Sequence, residues 1–474
     1  MHRTHWNTLQ KMNKKRLLTI LIIGLIIAGV FIKLYYVNYT DTWQRQHDVI
    51  SFGADEGHAA YIEYILNNKK LPDFDPREKW GFFQPPLHHI ISAKTMEISK
   101  SLGMDDKRCE ENTQVVTCIY MLLLMLFTAL IFVKVKGNKL FSTKSVTEGF
   151  AVVAAIVFVH PLFTLLSGSI NNDALALILS LIALYISFKW FEKPGWILTI
   201  LLALTIGLAM FAKLTGGLVA VPIGIQMVRK ILGFDGGLTG GKNIKINLWD
   251  RIKFFLKNYL VKMIVFAVVV FPVGLYWSIR NKILWDMPVN YIPPVGENFP
   301  ENITLSSRIF DIGTKSAYTS LVSRGDSFDE YNVPLLILKT SLFSESSFAD
   351  VSRWMKPVTW VMFILAAVLS IIALVATLYM TFSKKSWLNA KNRILLFGTW
   401  GIYLFAYLGF AITHRNFSAG DFRYAAICIV IEGIFTGLYV DTIKNKKVKY
   451  AITAVAVMFA ICSFGTYALL GFKS

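Results

Sequence analysis

The chain has 474 residues, of which 54% are hydrophobic, 14% aromatic and only 17% charged, and its mean hydropathy is +0.50. That composition is far from a soluble globular chain and describes a polytopic membrane protein. The formal charge of +19 would suit nucleic acid, but the Lys and Arg residues fall in short loops on one side of the apolar runs, which is the positive-inside pattern and excludes that partner.

In chain order, a basic lead (Lys11, Lys14, Lys15, Arg16) precedes the apolar run Leu17 to Leu34. The run is long enough to span ~30 Å of hydrocarbon and ends in Tyr35-Tyr36 instead of a small-residue cleavage site, so it is expected to be an uncleaved anchor with a cytoplasmic N-terminus. Further apolar runs of roughly 18 to 23 residues begin near Val115, Val146, Ala174, Trp196, Gly217, Val261, Val358, Ile394, Ala425 and Tyr450. An all-α membrane protein of about eleven spans follows, in which the fifth and sixth, flanking Lys213-Leu-Thr-Gly-Gly217, are the hardest to separate. The inside segments of that topology, Lys134 to Lys144, Lys189 to Lys193, Arg229 to Lys257, Lys384 to Arg393 and Lys444 to Lys449, are all basic. Nearly all loop acids, among them Asp55, Glu56, Asp173, Asp326 and Asp421, fall outside, so hydropathy and charge agree.

Two external segments are large, 37–113 and 280–356. In the first, Asp55 is placed to cap a helix with Ala59, Ile62 and Leu66 on one face. After Pro85-Pro86, Leu87, Ile91, Thr95, Ile98 and Leu102 make a second apolar stripe, which predicts two amphipathic helices along the outer membrane surface. The second segment, with Pro288, Pro293, Pro294, Pro300, Ser323-Arg-Gly-Asp326 and Leu338 to Phe343, is expected to be a lid or binding loop. Residues 1–474 then form a single transmembrane domain with no separate soluble domain, and Cys109, Cys118, Cys428 and Cys462 lack the spacing of a metal or redox motif.

Chemistry therefore has to come from the external loops and the helix ends below them. Asp55 and Glu56 either begin a helix or, with His58 close in sequence, surround an acceptor hydroxyl or a divalent metal ion, for which Glu56 and His58 are the candidate ligands. Asp173, after Asn171-Asn172, either caps the fourth span or supplies a second carboxylate to the same pocket. Lys213, Arg280 and Arg423 are sparse cations at outer helix ends, able to snorkel, to pair with acids such as Asp421, or together to clamp a phosphate. Of the adjacent His88 and His89, one is expected to line the pocket, while Trp80, Phe82 and Phe83 suit the interfacial aromatic belt or a sugar ring.

Asp55-Glu56, Gln84-Pro85-Pro86-Leu87, Asn172-Asp173, Trp277-Ser-Ile-Arg280-Asn281 and Arg423-Tyr424, in that order and sidedness across eleven spans, resemble the membrane glycosyltransferases of the GT-C fold. The chain looks most like glycosyltransferase family 39, the protein O-mannosyltransferase-like branch, and is similar to the aminoarabinose transferases. The resemblance implies inverting transfer of a hexosyl or pentosyl group from a polyprenyl-phosphate carrier to a lipid, protein or glycan acceptor outside a plasma membrane. It implies Asp55 as general base, with Glu56 and Asp173 orienting substrate or holding a metal. Arg423 with Tyr424, and with them Lys213 and Arg280, would bind the carrier phosphate, and Gln84, His58, His88 and Asn172 would line the substrate site. Two departures stand out: aminoarabinose transferases have a lysine where this chain has Gln84, leaving Lys79 or Lys94 as substitutes, and the eukaryotic mannosyltransferases carry a lumenal domain absent here. A transporter or flippase of lipid-linked sugars is the rival class, but it would place its charges near mid-membrane and repeat its halves, neither of which is seen.

Overall fold

In hydrocarbon only the chain itself can satisfy backbone N–H and C=O groups, so apolar runs of this length fold as helices. The computed structural model describes residues 2–44, 50–138, 144, 146–234, 247–294, 296, 303–311, 331–344, 355–416 and 418–472, and among them no strand occurs. Pro300 and Ser323 to Asp326 lie outside the described residues.

Helix α1 is His2–Tyr39. The first large loop folds into α2, Gly57–Asn68, and α3, Leu87–Ser101, ahead of α4, Asp106–Val135. Helix α5, Glu148–Val153, runs through a π-turn at Ala154–Phe158 and bends by 49° into α6, Pro161–Ser167. Then come α7, Asn172–Glu192, and α8, Trp196–Ala212, followed by the 3-10 segment Leu214–Val219 leading into α9, Ala220–Ile231. Next are α10, Leu248–Asn258, α11, Leu260–Trp285, α12, Leu305–Phe310, and α13, Val333–Phe343. After α14, Met355–Phe382, and α15, Ala390–Thr413, the 3-10 turns Ser418–Gly420 and Phe422–Ala425 bend by 46° into α16, Ile427–Thr442, and α17 is Lys446–Gly471.

Each of the eleven expected runs coincides with helix. Eight of these helices are long and apolar enough to cross a membrane alone, two more spans are the bent pairs, and α8 has 17 residues. Large apolar side chains stay exposed around the bundle, among them Ile20, Ile27, Val268 and Ile371, as side chains facing lipid would.

The break between α5 and α6 frees carbonyl groups inside the bundle, where each would cost several kcal/mol unpaired, about 2 or more. Lys33, fully buried on α1, donates to Phe158 O at 2.6 Å and Gly29 O at 3.3 Å, and Ser463 donates to Val159 O. Gly29 permits the approach, because a Cβ there would lie 2.7 Å from Phe158 O. A buried cation thus serves the helix break.

Helices α2 and α3 pack together, with Ala59, Ile62, Leu66, Ala93 and Met96 in one small core that also takes in Cys109 and Ile170. The face expected on α2 is the buried one, but its cap is Glu56, not Asp55, and Glu56 makes no side-chain cap bond. On α3 the apolar stripe and the face buried against protein are different faces. His88, His89, Ser92, Ala93, Met96 and Ser99 are buried, while Ile98 and Leu102 at the end of the apolar stripe are exposed. The physical reason is that beside a bilayer the apolar face of a surface helix need not be the one that meets protein. Helix α13 was not anticipated: its apolar run is only 11 residues, too short to read as a span, yet it packs against the turns before α16.

Candidate active site

The turn after α6 holds Asp173 in a fixed place. Gly168 O accepts from Gln114 Nε2 at 3.0 Å, and a Cβ at Gly168 would meet the Tyr36 ring at 2.8 Å, so the turn lies against α1. Asn171 caps α7 by accepting from Asp173 N at 2.7 Å. Asp173 therefore enters the first turn of a helix, where the dipole favours its charge.

Two cations converge on it from distant parts of the chain. Lys213, in extended backbone just past α8, places Nζ 2.6 Å from Asp173 Oδ1. Arg423 places Nε 3.4 Å from Asp173 Oδ2, and its turn is fixed by Asp421, which accepts from Arg423 N at 2.8 Å. The Tyr424 ring lies under both, 4.7 Å from Lys213 Nζ and 4.8 Å from the Arg423 guanidinium, whose Nη2 donates to Tyr424 Oη at 2.9 Å. Asp421 is fully buried with Oδ2 3.7 Å from Arg423 Nη1, so two positive charges face two negative ones.

Of these groups Asp173, Arg423 and Tyr424 line one side of a small cleft, closed by Thr215, Gly216 and Tyr403, with Lys213 held behind Asp173. The 3-10 segment makes this wall possible. A Cβ on Gly216 would lie 2.5 Å from Ala209 O, and Gly216 O accepts from Ser180 and from Tyr403 Oη, each at 3.3 Å. The Lys-Leu-Thr-Gly-Gly sequence signalled a break; Tyr403, inside an apolar run, gave no signal at all.

The first loop is tied to this cluster through its second half. Trp277 Nε1 donates to Phe83 O at 3.0 Å, and Asn172 Nδ2 donates to Gln84 Oε1 at 3.3 Å and to Ala212 O at 2.9 Å. Gln84 thus meets the residue next to Asp173. At the start of the same loop Gly57 N donates to Trp80 O at 2.8 Å, and Trp80 N approaches Glu56 Oε2 at 3.4 Å. Gly57 and Gly81 pack backbone to backbone with φ of +92° and +87°, so side chains there would be strained. Asp55, one residue earlier, is exposed and makes no hydrogen bond or ion pair with described residues.

Other expected members lie elsewhere. Arg280 stacks on Trp277 and Trp285 and donates to Pro72 O at 2.6 Å, so it braces the first loop and does not join Lys213 and Arg423. Lys94 pairs with Glu97, and Lys79 lies over Phe74. His58, His88 and His89 are all buried, His58 Nδ1 lies 2.8 Å from His89 Nε2, and His89 stacks on Tyr61 at 4.2 Å. Burial pushes the His88 imidazole down to about 3, with nearby His58 adding to the effect, and pushes His89 well below the usual range. His58 is thereby committed away from Glu56. Among the described residues no group of three or more His, Cys, Asp or Glu side chains is arranged to hold a metal, so the residues present do not fit the expected divalent ion.

These elements define an all-α, multi-pass membrane protein with a charged cleft at the end of the bundle that carries α2 and α3. Its architecture is that of ArnT from Cupriavidus metallidurans: the structure of ArnT bound to undecaprenyl phosphate aligns over 96% of this chain and 77% of that one, with a TM-score of 0.52 and 13% identity. The apo structure of the same enzyme aligns over 94% and 77% at 12% identity, with a TM-score of 0.36. No protein-family model and no curated protein sequence matches the chain. The GT-C-like fold expected from the motifs is therefore the one found.

Proposed function

We propose that this protein is a membrane glycosyltransferase of the family 39 type, moving a sugar from a polyprenyl-phosphate donor to an acceptor on the extracytoplasmic face of the plasma membrane. The observation that carries the reading is the meeting of Lys213 and Arg423 on the Tyr424 ring and Asp173 beside one small cleft, in a fold of which a solved example, ArnT, holds undecaprenyl phosphate.

In the proposed reaction Asp55 takes the proton of the acceptor hydroxyl as that oxygen bonds to the anomeric carbon from the face opposite the phosphate. The anomeric C–O bond to phosphate breaks, its electron pair stays on the phosphate oxygen, and configuration inverts. A phosphate leaves without needing a strong acid, so one base and cationic stabilisation of the departing charge are sufficient. The exposure of Asp55 supports this role, because an acceptor can reach it from outside the bundle. Glu56 accepts from the Trp80 amide, and Gln84 accepts from Asn172, the residue before Asp173, so both are available to orient substrate.

The test is incubation of purified protein with a panel of polyprenyl-phosphate sugars. Release of polyprenyl phosphate coupled to glycosylation of an added acceptor is expected. Transport of intact donor between leaflets without release would assign the protein to the flippases instead.

A further inference from the structure

Resting on the reading of Lys213 and Arg423 as receptors for the donor phosphate, we propose that Asp173 is a built-in occupant of that phosphate site. It holds the two cations until a lipid-linked phosphate displaces it, and it competes for them again when product must leave.

Asp173 touches both cations through different oxygens, Oδ1 to Lys213 at 2.6 Å and Oδ2 to Arg423 at 3.4 Å, which is how two phosphate oxygens would divide between them. The second carboxylate of the cluster cannot exchange in this way. Asp421 is fully buried and caps the Arg423 turn, whereas Asp173 reaches the cleft beside Arg423 and Tyr424. The Tyr424 face lies under both cations and keeps them in place whichever anion they meet.

Charge explains why such a competitor helps. A glycosyl phosphodiester carries one negative charge, while the released phosphomonoester carries about 1.5 to 2 at pH 7. Without the Asp173 carboxylate, Lys213 and Arg423 would hold product more tightly than donor. With Asp173 present part of that positive charge is offset before any ligand arrives, and the bound product is always opposed by a carboxylate on the first turn of α7.

The experiment compares undecaprenyl phosphate with undecaprenol for binding to the full-length purified wild type and to Asp173→Asn, Asp173→Ser and Asp173→Glu, each checked by thermal melting. Whichever neutral variant melts like wild type is expected to bind undecaprenyl phosphate at least about tenfold more tightly with undecaprenol unaffected, while Asp173→Glu stays near wild type. In turnover the same variant shows lower kcat and stronger inhibition by added undecaprenyl phosphate. Unchanged or weaker phosphate binding by a well-folded neutral variant overturns the proposal and leaves the phosphate reading intact. A wild type that binds undecaprenyl phosphate no better than undecaprenol overturns both.

Discussion

Two acidic turns at the same end of the molecule differ in every physical respect. Asp55 and Glu56 are exposed, and Asp55 has no partner among the described residues, whereas Asp173 is buried between Lys213 and Arg423. Asp173 is already engaged with the two cations that a phosphate would meet, whereas Asp55 stands open to an acceptor arriving from solvent. The contrast divides the proposed reaction in two: proton transfer at the rim and charge handling at the cleft.

Removing the rim carboxylate is expected to have the largest effect. Asp55→Asn should reduce transfer about a thousandfold, as loss of a general base does, with carrier binding unchanged. Retained turnover would place the base elsewhere and dissolve the division. The next largest effect is expected at the cleft: Arg423→Ala should weaken undecaprenyl phosphate binding about a hundredfold while leaving the acceptor KM nearly constant. Equal loss for both ligands would show that Arg423 supports the fold around Asp421 and not the phosphate.

How much of this was legible in the sequence depends on the range of the interaction. Span positions are local sums of hydropathy, and each expected run is helical. The break at Gly216-Gly217 was visible only weakly, as the place where the fifth and sixth runs are hardest to separate. Pairing was not legible, because Asp173 meets a lysine 40 residues away and an arginine far beyond it, and no periodicity encodes such contacts. The face that α3 buries in protein was not legible for a different reason: His88, His89, Ser92 and Ser99 are polar or small and make no apolar periodicity. Nor did anything in the sequence pair His58, a candidate metal ligand, with His89.

A smaller effect is expected at Glu56, whose only bond to a described residue is the 3.4 Å approach of the Trp80 amide. Glu56→Gln keeps an acceptor oxygen for that amide and should cost about tenfold in transfer, within what one oriented hydrogen bond supplies. Transfer by wild type that survives chelation would agree with Glu56 acting as an orienting acceptor. Loss of transfer on chelation, restored by a divalent ion, would return Glu56 to a ligand role.

The mildest test separates the regions by acid. His88 and His89 are held neutral by burial on α3, so below their ordinary value near 6.5 the unfolded chain binds protons that the folded one refuses. The folded pKa is lowered for a base, which means their stabilisation is complete above about 6.5 and is lost as pH falls toward about 3. Acidification from pH 7 to 5 should therefore loosen α2 and α3 first, seen as faster hydrogen exchange there and a melting temperature lower by a few degrees, on the order expected for 1–2 kcal/mol. His88→Phe removes one of the two groups and should flatten that dependence, with the ring contact to Tyr120 retained by an aromatic of similar shape. Exchange in α2 and α3 that does not respond to pH in this window would mean that the histidines are not what ties the Asp55 loop to the bundle.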